Sequence, residues 1–70
     1  MSIGANVRRL RKEKGISQTE LAEAVHVTQS MIAQIERGTK ALTMELGMEI
    51  SEALGVSINA LLENLSKQTV

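Results

Sequence analysis

The stretch that decides the fold is residues 17–38, SQTELAEAVHVTQSMIAQIERG. It contains two short runs in which apolar residues recur at three- and four-residue intervals, the spacing of amphipathic helices. Ser17 precedes the first run and Glu20 follows three residues later, a pair typical of a capping box at a helix N-terminus. Thr28 is the predicted cap of the second run and Gly38 its predicted stop. The stretch therefore predicts two short helices joined by a tight turn.

The flanking sequence predicts three more helices. One covers residues 3–14 and ends at Gly15, a second is capped by Thr43 and ends at Gly55, and a third is capped by Ser57. Short connections between five helices favour a compact all-α domain over residues 1–70, with its core in 3–62 and a frayed tail at 66–70. The residues expected to face inward are Ile3, Val7, Leu10, Leu21, Ala22, Val25, Ile32, Ile35, Gly47, Ile50, Ser51, Leu54, Ile58, Leu61 and Leu62.

The composition limits what this domain can do. The 70 residues include no Cys, so neither a disulfide nor a thiolate metal site is available, and no metal or cofactor is expected. A single His, the absence of Asp and the lack of a phosphate-binding glycine loop argue against an enzyme. No apolar run approaches the ~18 residues of a membrane span, so we expect no membrane association and a cytoplasmic location.

Charge is balanced overall but divided unevenly along the chain. Lys+Arg and Asp+Glu both number 8, giving a net charge of zero. Residues 1–40 hold seven basic and four acidic side chains, whereas residues 41–70 hold one basic and four acidic side chains. This division favours a molecule with one face suited to phosphate, although the basic cluster near residue 10 is equally consistent with an ordinary solvated helix face.

The motif residues, taken in register, resemble one family. They are Leu10, Arg11, Gly15, Ile16, Ser17, Gln18, Leu21, Ala22, Val27, Ile32, Ile35, Glu36, Arg37, Gly38, Ala53, Leu54, Gly55, Val56 and Ser57. The chain is similar to the phage-repressor type of helix-turn-helix domain, the lambda-repressor-like family that includes bacterial xenobiotic-response-element regulators. The resemblance implies a five-helix fold in which the second and third helices form the helix-turn-helix and bind double-stranded DNA through the major groove.

The resemblance also implies which residues touch DNA. Gln29, Ser30 and Gln34 occupy the base-reading positions, and Gln suits bidentate contact with adenine. Alternatively, these three are ordinary solvated polar residues. Contacts with the DNA backbone are expected from Gln18, Thr28, Arg37, Thr39 and Lys40.

Two further features concern the orientation of the third helix. In the family, residues at the positions of Arg11 and Glu36 form a structural ion pair between the first and third helices. His26 stands where the family usually has Gly, at a turn position that often requires a positive φ. A lone His could also sense pH or bind a metal, but strained turn geometry is the better interpretation.

The fourth helix carries an unusual glycine beside apolar residues. Gly47 stands where the family prefers a large aliphatic residue, so Met44 or Met48 would fill the space or a partner would approach closely. Leu42 and Leu46 are expected to be exposed on the same side. One helix-turn-helix contacts few base pairs, and related dimers bind two half-sites, so we expect a homodimer. Its interface candidates are Leu42, Leu46, Ile58, Leu62 and Leu65.

Together these features predict a sequence-specific DNA-binding transcriptional regulator, a repressor or a controller of its own operon that binds a pseudo-palindromic operator. The alternative is a protein-interaction module, such as an antitoxin or adaptor, in which a protein partner rather than DNA is the main ligand. Near-neutral charge and exposed aliphatic residues keep this alternative open.

Overall fold

The computed structural model describes residues 3–62, and these residues form helices and connecting turns without a strand. The all-α fold with five helices is therefore confirmed, and the predicted frayed tail lies outside the described residues. None of the helices in this range has the length and apolarity needed to cross a membrane. The helices are α1 (Ile3–Glu13), α2 (Gln18–Ala24), α3 (Gln29–Arg37), α4 (Met44–Leu54) and α5 (Ile58–Leu61).

Capping residues set most of these boundaries. The Ser17 hydroxyl accepts from the Glu20 N–H while the Glu20 carboxylate accepts from the Ser17 N–H, so the predicted capping box is present. Thr28 and Thr43 cap α3 and α4 in the same way through their hydroxyls. Ser57 is different, because it precedes α5 with extended backbone but its side chain makes no capping hydrogen bond. Ser57 is therefore the N-cap residue of α5, as predicted, but the expected hydrogen bond from its side chain is absent.

Every helix contributes to one shared core. Val7, Leu21, Ile32, Ile50 and Leu61 come from α1 to α5 in turn, and each has an exposure of 0%. The same cluster holds Leu10, Ala22, Val25, Ile35 and Leu54, as the apolar spacing predicts. Because α1 packs against α3, α4 and α5 while α2 packs against α3 and α4, the two helices of the turn motif share one rigid support.

Two residues of α1 make close contacts that the sequence does not reveal. Gly4 is buried, and a Cβ at this position would lie 2.1 Å from the carbonyl oxygen of Ile35. Asn6 has an exposure of 0%, and its Nδ2 donates to the Leu61 carbonyl at 2.7 Å. The N-terminal half of α1 therefore fixes both the C-terminal end of α3 and the end of α5.

Leu42 and Leu46 were both expected to be exposed, and this expectation was wrong for Leu46. Leu46 is only 8% exposed and belongs to the core, because α4 turns positions 46, 47, 50, 51 and 54 inward. Leu42 is half-buried and packs against this core. Leu46 is therefore not available to a partner, which removes it from the dimer candidates.

The space beside Gly47 is filled, but by other residues than predicted. The nearest atoms to a Cβ at Gly47 would be Leu42 Cδ2 at 3.5 Å and Ile58 Cδ1 at 3.6 Å. Met44 and Met48 are 67% and 54% exposed and do not turn inward, so the prediction that they compensate was wrong. Met48 lies on the opposite face of α4, and Met44 lies at the edge of that face, where it also borders a groove lined by Leu42 and Ile58.

His26 has the predicted strained backbone, with a φ of 62°. It is the one residue other than glycine with a positive φ within residues 3–62. We expect His26→Gly to raise the free energy of unfolding by about 0.5–1 kcal/mol, because relief of left-handed strain exceeds the entropy that Gly adds to the unfolded chain. His26→Ala is the matched control and should give no gain. Thermal unfolding checks both, and a lower melting temperature for His26→Gly would contradict the interpretation.

Candidate nucleic-acid interface

The outer face of α3 presents polar side chains on a rigid element. Gln29, Ser30 and Arg37 are exposed, and Gln34 is half-buried. The inner face of the same helix is fixed in the core by Ile32 and Ile35. The four polar residues therefore share a surface whose orientation is set by packing, and their contacts with DNA remain predictions.

A side-chain amide on α2 holds the first residue of α3. The Gln29 Nε2 donates to the Gln18 Oε1 at 2.6 Å, and the Gln18 Nε2 donates to the Glu36 Oε1 at 3.0 Å. The bond to Glu36 determines which end of the Gln18 amide faces Gln29. The Oε1 and the second N–H of the Gln29 amide are therefore available to another partner. Among residues 3–62 no hydrogen bond reaches that Oε1.

The Arg11–Glu36 ion pair lies behind this amide link and is confirmed. The Arg11 Nε lies 2.7 Å from one Glu36 carboxylate oxygen, and the terminal guanidinium nitrogen Nη2 lies 3.1 Å from the other. The side chains of Arg11 and Glu36 are 9% and 3% exposed. The other terminal nitrogen, Nη1, donates to the Ile16 carbonyl at 2.8 Å, so one guanidinium joins α1, the segment before α2, and α3.

Both partners of this ion pair are held in their charged forms. Hydrogen bonding to Glu36 raises the pKa of Arg11, burial opposes this, and the carboxylate charge adds to the increase. For Glu36, burial opposes ionisation, but hydrogen bonds from Arg11 and Gln18 together with the charges of Arg11 and Arg8 outweigh it and lower the pKa. The Glu36 carboxylate is therefore charged at neutral pH and remains an acceptor for Gln18.

A basic cleft lies between α1 and α3 beside the ion pair. Arg8, Lys12 and Arg37 line it together with Arg11, Gln18, Ala33 and Glu36, and its volume is about 230 Å³. Four guanidinium or ammonium groups surround one carboxylate, so the local charge favours an anion. From the sequence, the basic residues of α1 were equally consistent with an ordinary solvated helix face. The fold brings Arg8 and Lys12 beside Arg37.

The other predicted backbone contacts lie at the two ends of α3. Thr28 is exposed at the N-terminus, where its hydroxyl accepts from the Met31 N–H at 3.1 Å. Thr39 and Lys40 are exposed beyond the C-terminus, and the Thr39 hydroxyl donates to the Gln34 carbonyl at 3.2 Å. The hydroxyls of Thr28 and Thr39 therefore already bond to backbone groups of α3. Lys40 makes no hydrogen bond or ion pair with another residue of the range 3–62.

Three of the dimer candidates share an apolar groove. Leu42, Ile58 and Leu62 line it together with Ile3, Thr43, Met44 and Leu61. Leu42 and Ile58 are half-buried, whereas Leu62 is 37% exposed. Leu65 lies outside the described residues. Within 3–62, no group of three or more His, Cys, Asp or Glu side chains is placed to hold a metal ion.

These features agree with comparisons with known proteins. The helix-turn-helix family model matches residues 7–61, which is most of the chain. The protein therefore belongs to the lambda-repressor-like helix-turn-helix family.

Two curated relatives and two solved structures illustrate the similarity. The chain is 39% identical over 54 residues to the transcriptional regulator RamB of Mycobacterium tuberculosis, covering 77% of this chain and 11% of RamB. It is 37% identical over 62 residues to the transcriptional regulator SinR of Bacillus subtilis, covering 87% of this chain and 56% of SinR. The chain thus spans only part of both relatives.

The structural similarity extends over nearly the whole chain. The clp gene regulator ClgR of Corynebacterium glutamicum superimposes with a TM-score of 0.87 at 35% identity, covering 94% of this chain and 70% of ClgR. The P22 c2 repressor in complex with a synthetic operator superimposes with a TM-score of 0.81 at 32% identity, covering 90% of this chain and 96% of that one.

Proposed function

We propose that this protein is a sequence-specific DNA-binding transcriptional regulator, with α3 as the helix that enters the major groove. The observation that carries the proposal is the hydrogen-bonded series from the buried Arg11–Glu36 pair through Gln18 to Gln29. This series holds the Gln29 amide in one orientation at the surface, which is the preorganisation that recognition of a base edge needs. The family and the operator complex of the P22 c2 repressor support the same assignment.

The fixed amide of Gln29 matches one base. The hydrogen bond to Gln18 leaves an acceptor and one donor on the same amide, which is the pair that adenine requires at N6 and N7. Ser30 and Gln34, on the same face, are proposed to read the neighbouring base edges. We propose that phosphates on either side of the groove contact Gln18, Thr28, Arg37, Thr39 and Lys40, with Arg8 and Lys12 extending this contact through the basic cleft.

We also propose that the protein binds its operator as a homodimer through the apolar groove. Leu42, Ile58 and Leu62 would meet their counterparts across a two-fold axis, as self-complementary dimers require. Two copies of α3 would then read half-sites ~34 Å apart in successive major grooves. The proposed repressor role rests on operator occupancy alone.

Selection from a random duplex library tests the proposal. We expect enrichment of a site with two inverted half-sites, and we expect binding to that site to weaken with salt as counterions are released from the phosphates. A library that yields no enriched sequence at low salt would contradict the assignment of sequence-specific DNA binding. An enriched single half-site bound by a monomer would overturn the homodimer but leave sequence-specific binding in place.

Gln29→Ala gives the sharpest test of base reading. It should lower affinity for the selected site by about 1–3 kcal/mol and relax the preference at one base position, because one bidentate contact is lost. Lys12→Ala should instead weaken binding to all sequences and reduce the slope of affinity against salt by about one charge. Fluorescence anisotropy measures both. Equal loss on selected and random DNA for Gln29→Ala would show that it reads no base.

A further inference from the structure

The outer face of α4 combines exposed methionine with acidic residues. Positions 44, 45, 48, 49 and 52 lie within one arc of this helix, opposite the buried positions 46, 47, 50, 51 and 54. Met44 and Met48 are the two most exposed large hydrophobic side chains within residues 3–62. Glu45, Glu49 and Glu52 line the same shallow groove. We call this surface the acidic methionine face.

No described residue neutralises this face. Within residues 3–62, the side chains of Glu45, Glu49 and Glu52 make neither a hydrogen bond nor an ion pair. Their charges are therefore directed to solvent beside apolar surface. Isolated exposed hydrophobic residues are ordinary, but adjacent methionines framed by a single sign of charge are typical of a surface that takes a partner.

The face continues into a second groove at the turn between α2 and α3. Glu49 and Glu52 also line a cavity of about 390 Å³ whose other walls are Ala24, Val25, His26 and Ala53. The two grooves thus share two carboxylates, with the methionines on one side and the His26 turn on the other. A ligand lying along α4 would contact the methionine side chains first and then the carboxylates of Glu49 and Glu52.

We propose that the acidic methionine face docks a basic amphipathic helix of a different protein. Methionine side chains are flexible and polarisable, so they accommodate apolar residues of varied shape, while the three carboxylates select Lys and Arg beside those residues. All residues of this face lie on α4, and none of them lines the basic cleft or stands on α3. A partner at this face and DNA at α3 would therefore contact different residues.

A second copy of this chain fits the face poorly. Within residues 3–62 the basic side chains lie on or just after α1 and near the end of α3, so docking them on α4 would be a head-to-tail contact that does not close into a dimer. Such a contact would also cover the cations that the proposed function assigns to phosphate. The apolar groove of Leu42, Ile58 and Leu62 is the surface suited to self-association.

Methionine methyl NMR tests the proposal without any DNA, so its outcome is independent of the proposed function. The probe is a synthetic amphipathic helix of about 18 residues made of Leu and Lys, with a scrambled peptide of the same composition as the control. We expect the designed peptide to shift the methyl signal of Met48, which lies on this face alone, together with that of Met44, which also borders the apolar groove. The Met31 signal is the internal control and should stay in place, because Met31 packs against the core.

Charge-reversal variants locate the binding site. Glu49→Lys/Glu52→Lys should weaken peptide binding at least about tenfold, whereas Glu13→Lys/Glu23→Lys, with the same change in net charge, should weaken it less than about threefold. Equal losses in the two double variants, or equal binding of the scrambled peptide, would overturn the proposal in favour of non-specific attraction. Met48 shifts that follow protein concentration without peptide would overturn it in favour of self-association.

Discussion

Gly4→Ala is expected to lower the free energy of unfolding by about 3 kcal/mol or more, a large fraction of the total stability of so small a domain. The added methyl carbon would lie 2.1 Å from the Ile35 carbonyl oxygen and 3.1 Å from that of Glu36. Both obstacles are backbone atoms of α3, so no side-chain rotation relieves the contact. The helices themselves must separate, and the separation would displace Val7, Ile35 and their neighbours from the core.

Urea unfolding followed by circular dichroism measures this loss. Gly47→Ala is the matched control, since it adds the same methyl group at another buried helical glycine. There the nearest atoms are ends of the Leu42 and Ile58 side chains, at 3.5 and 3.6 Å, which is ordinary van der Waals contact. Gly47→Ala should therefore raise stability by about 0.5–1 kcal/mol through helix propensity. Similar effects of the two substitutions would contradict the close packing of α1 on α3.

The contrast between these glycines shows what the sequence could predict. Local signals were sufficient for three helix starts, since the Ser17–Glu20 capping box and the Thr28 and Thr43 caps are present, although Ser57 makes no such bond at α5. Periodicity likewise placed the core positions of α1, α2 and α3. These features depend on residues within one turn of each other, and sequence records that distance directly.

Features that depend on contacts between distant helices were not predictable. The close approach at Gly4 is set by where α3 ends, 31 positions along the chain. The bond from Gln29 to Gln18 requires the angle between α2 and α3, and the basic cleft requires that between α1 and α3. Leu46 was misassigned to the surface for the same reason. The buried face of α4 is wide enough to include position 46, and its width is set by the helices that pack against it. The family resemblance supplied the Arg11–Glu36 pair, which periodicity alone does not show.

Arg11→Met should destabilise the protein by about 3–5 kcal/mol, because it leaves a buried carboxylate without its cation. Glu36 is 3% exposed at its side chain, so water does not replace the guanidinium. The Ile16 carbonyl also loses its hydrogen bond from Arg11. Urea unfolding measures the change, and a loss below about 1 kcal/mol would mean that the site admits water when Arg11 is removed.

The pH dependence of this loss has a defined sign. In the wild-type protein the folded state lowers the pKa of Glu36, so its contribution is present above the ordinary value of 4.5 and disappears as pH falls through the lower folded value. In Arg11→Met, burial is opposed only by the hydrogen bond from Gln18 and the charge of Arg8, so we expect the pKa of Glu36 to rise above that ordinary value. The loss of stability in the variant should therefore be largest at neutral pH and should shrink as pH falls through this raised pKa. A deficit that is independent of pH would contradict a stranded carboxylate.

The double variant Arg11→Met/Glu36→Met separates stability from orientation. Replacing both charges by unbranched apolar side chains should restore most of the lost stability, since a buried ion pair is often matched by hydrophobic packing. It should not restore DNA affinity. Without Glu36 the Gln18 Nε2 loses its acceptor, the Gln18 amide can turn over, and Gln29 is no longer held with a fixed donor and acceptor.

Affinity for the selected DNA site should consequently stay at least about tenfold below wild type in the double variant while the melting temperature recovers. Because Arg8, Lys12 and Arg37 remain in the basic cleft, binding to random DNA should change little. Loss of selectivity with recovered stability would show that the ion pair positions the reading amide of α3. Full recovery of both would mean that the packing of Ile32 and Ile35 is sufficient to orient α3, and that the hydrogen bonds behind Gln29 add nothing to recognition.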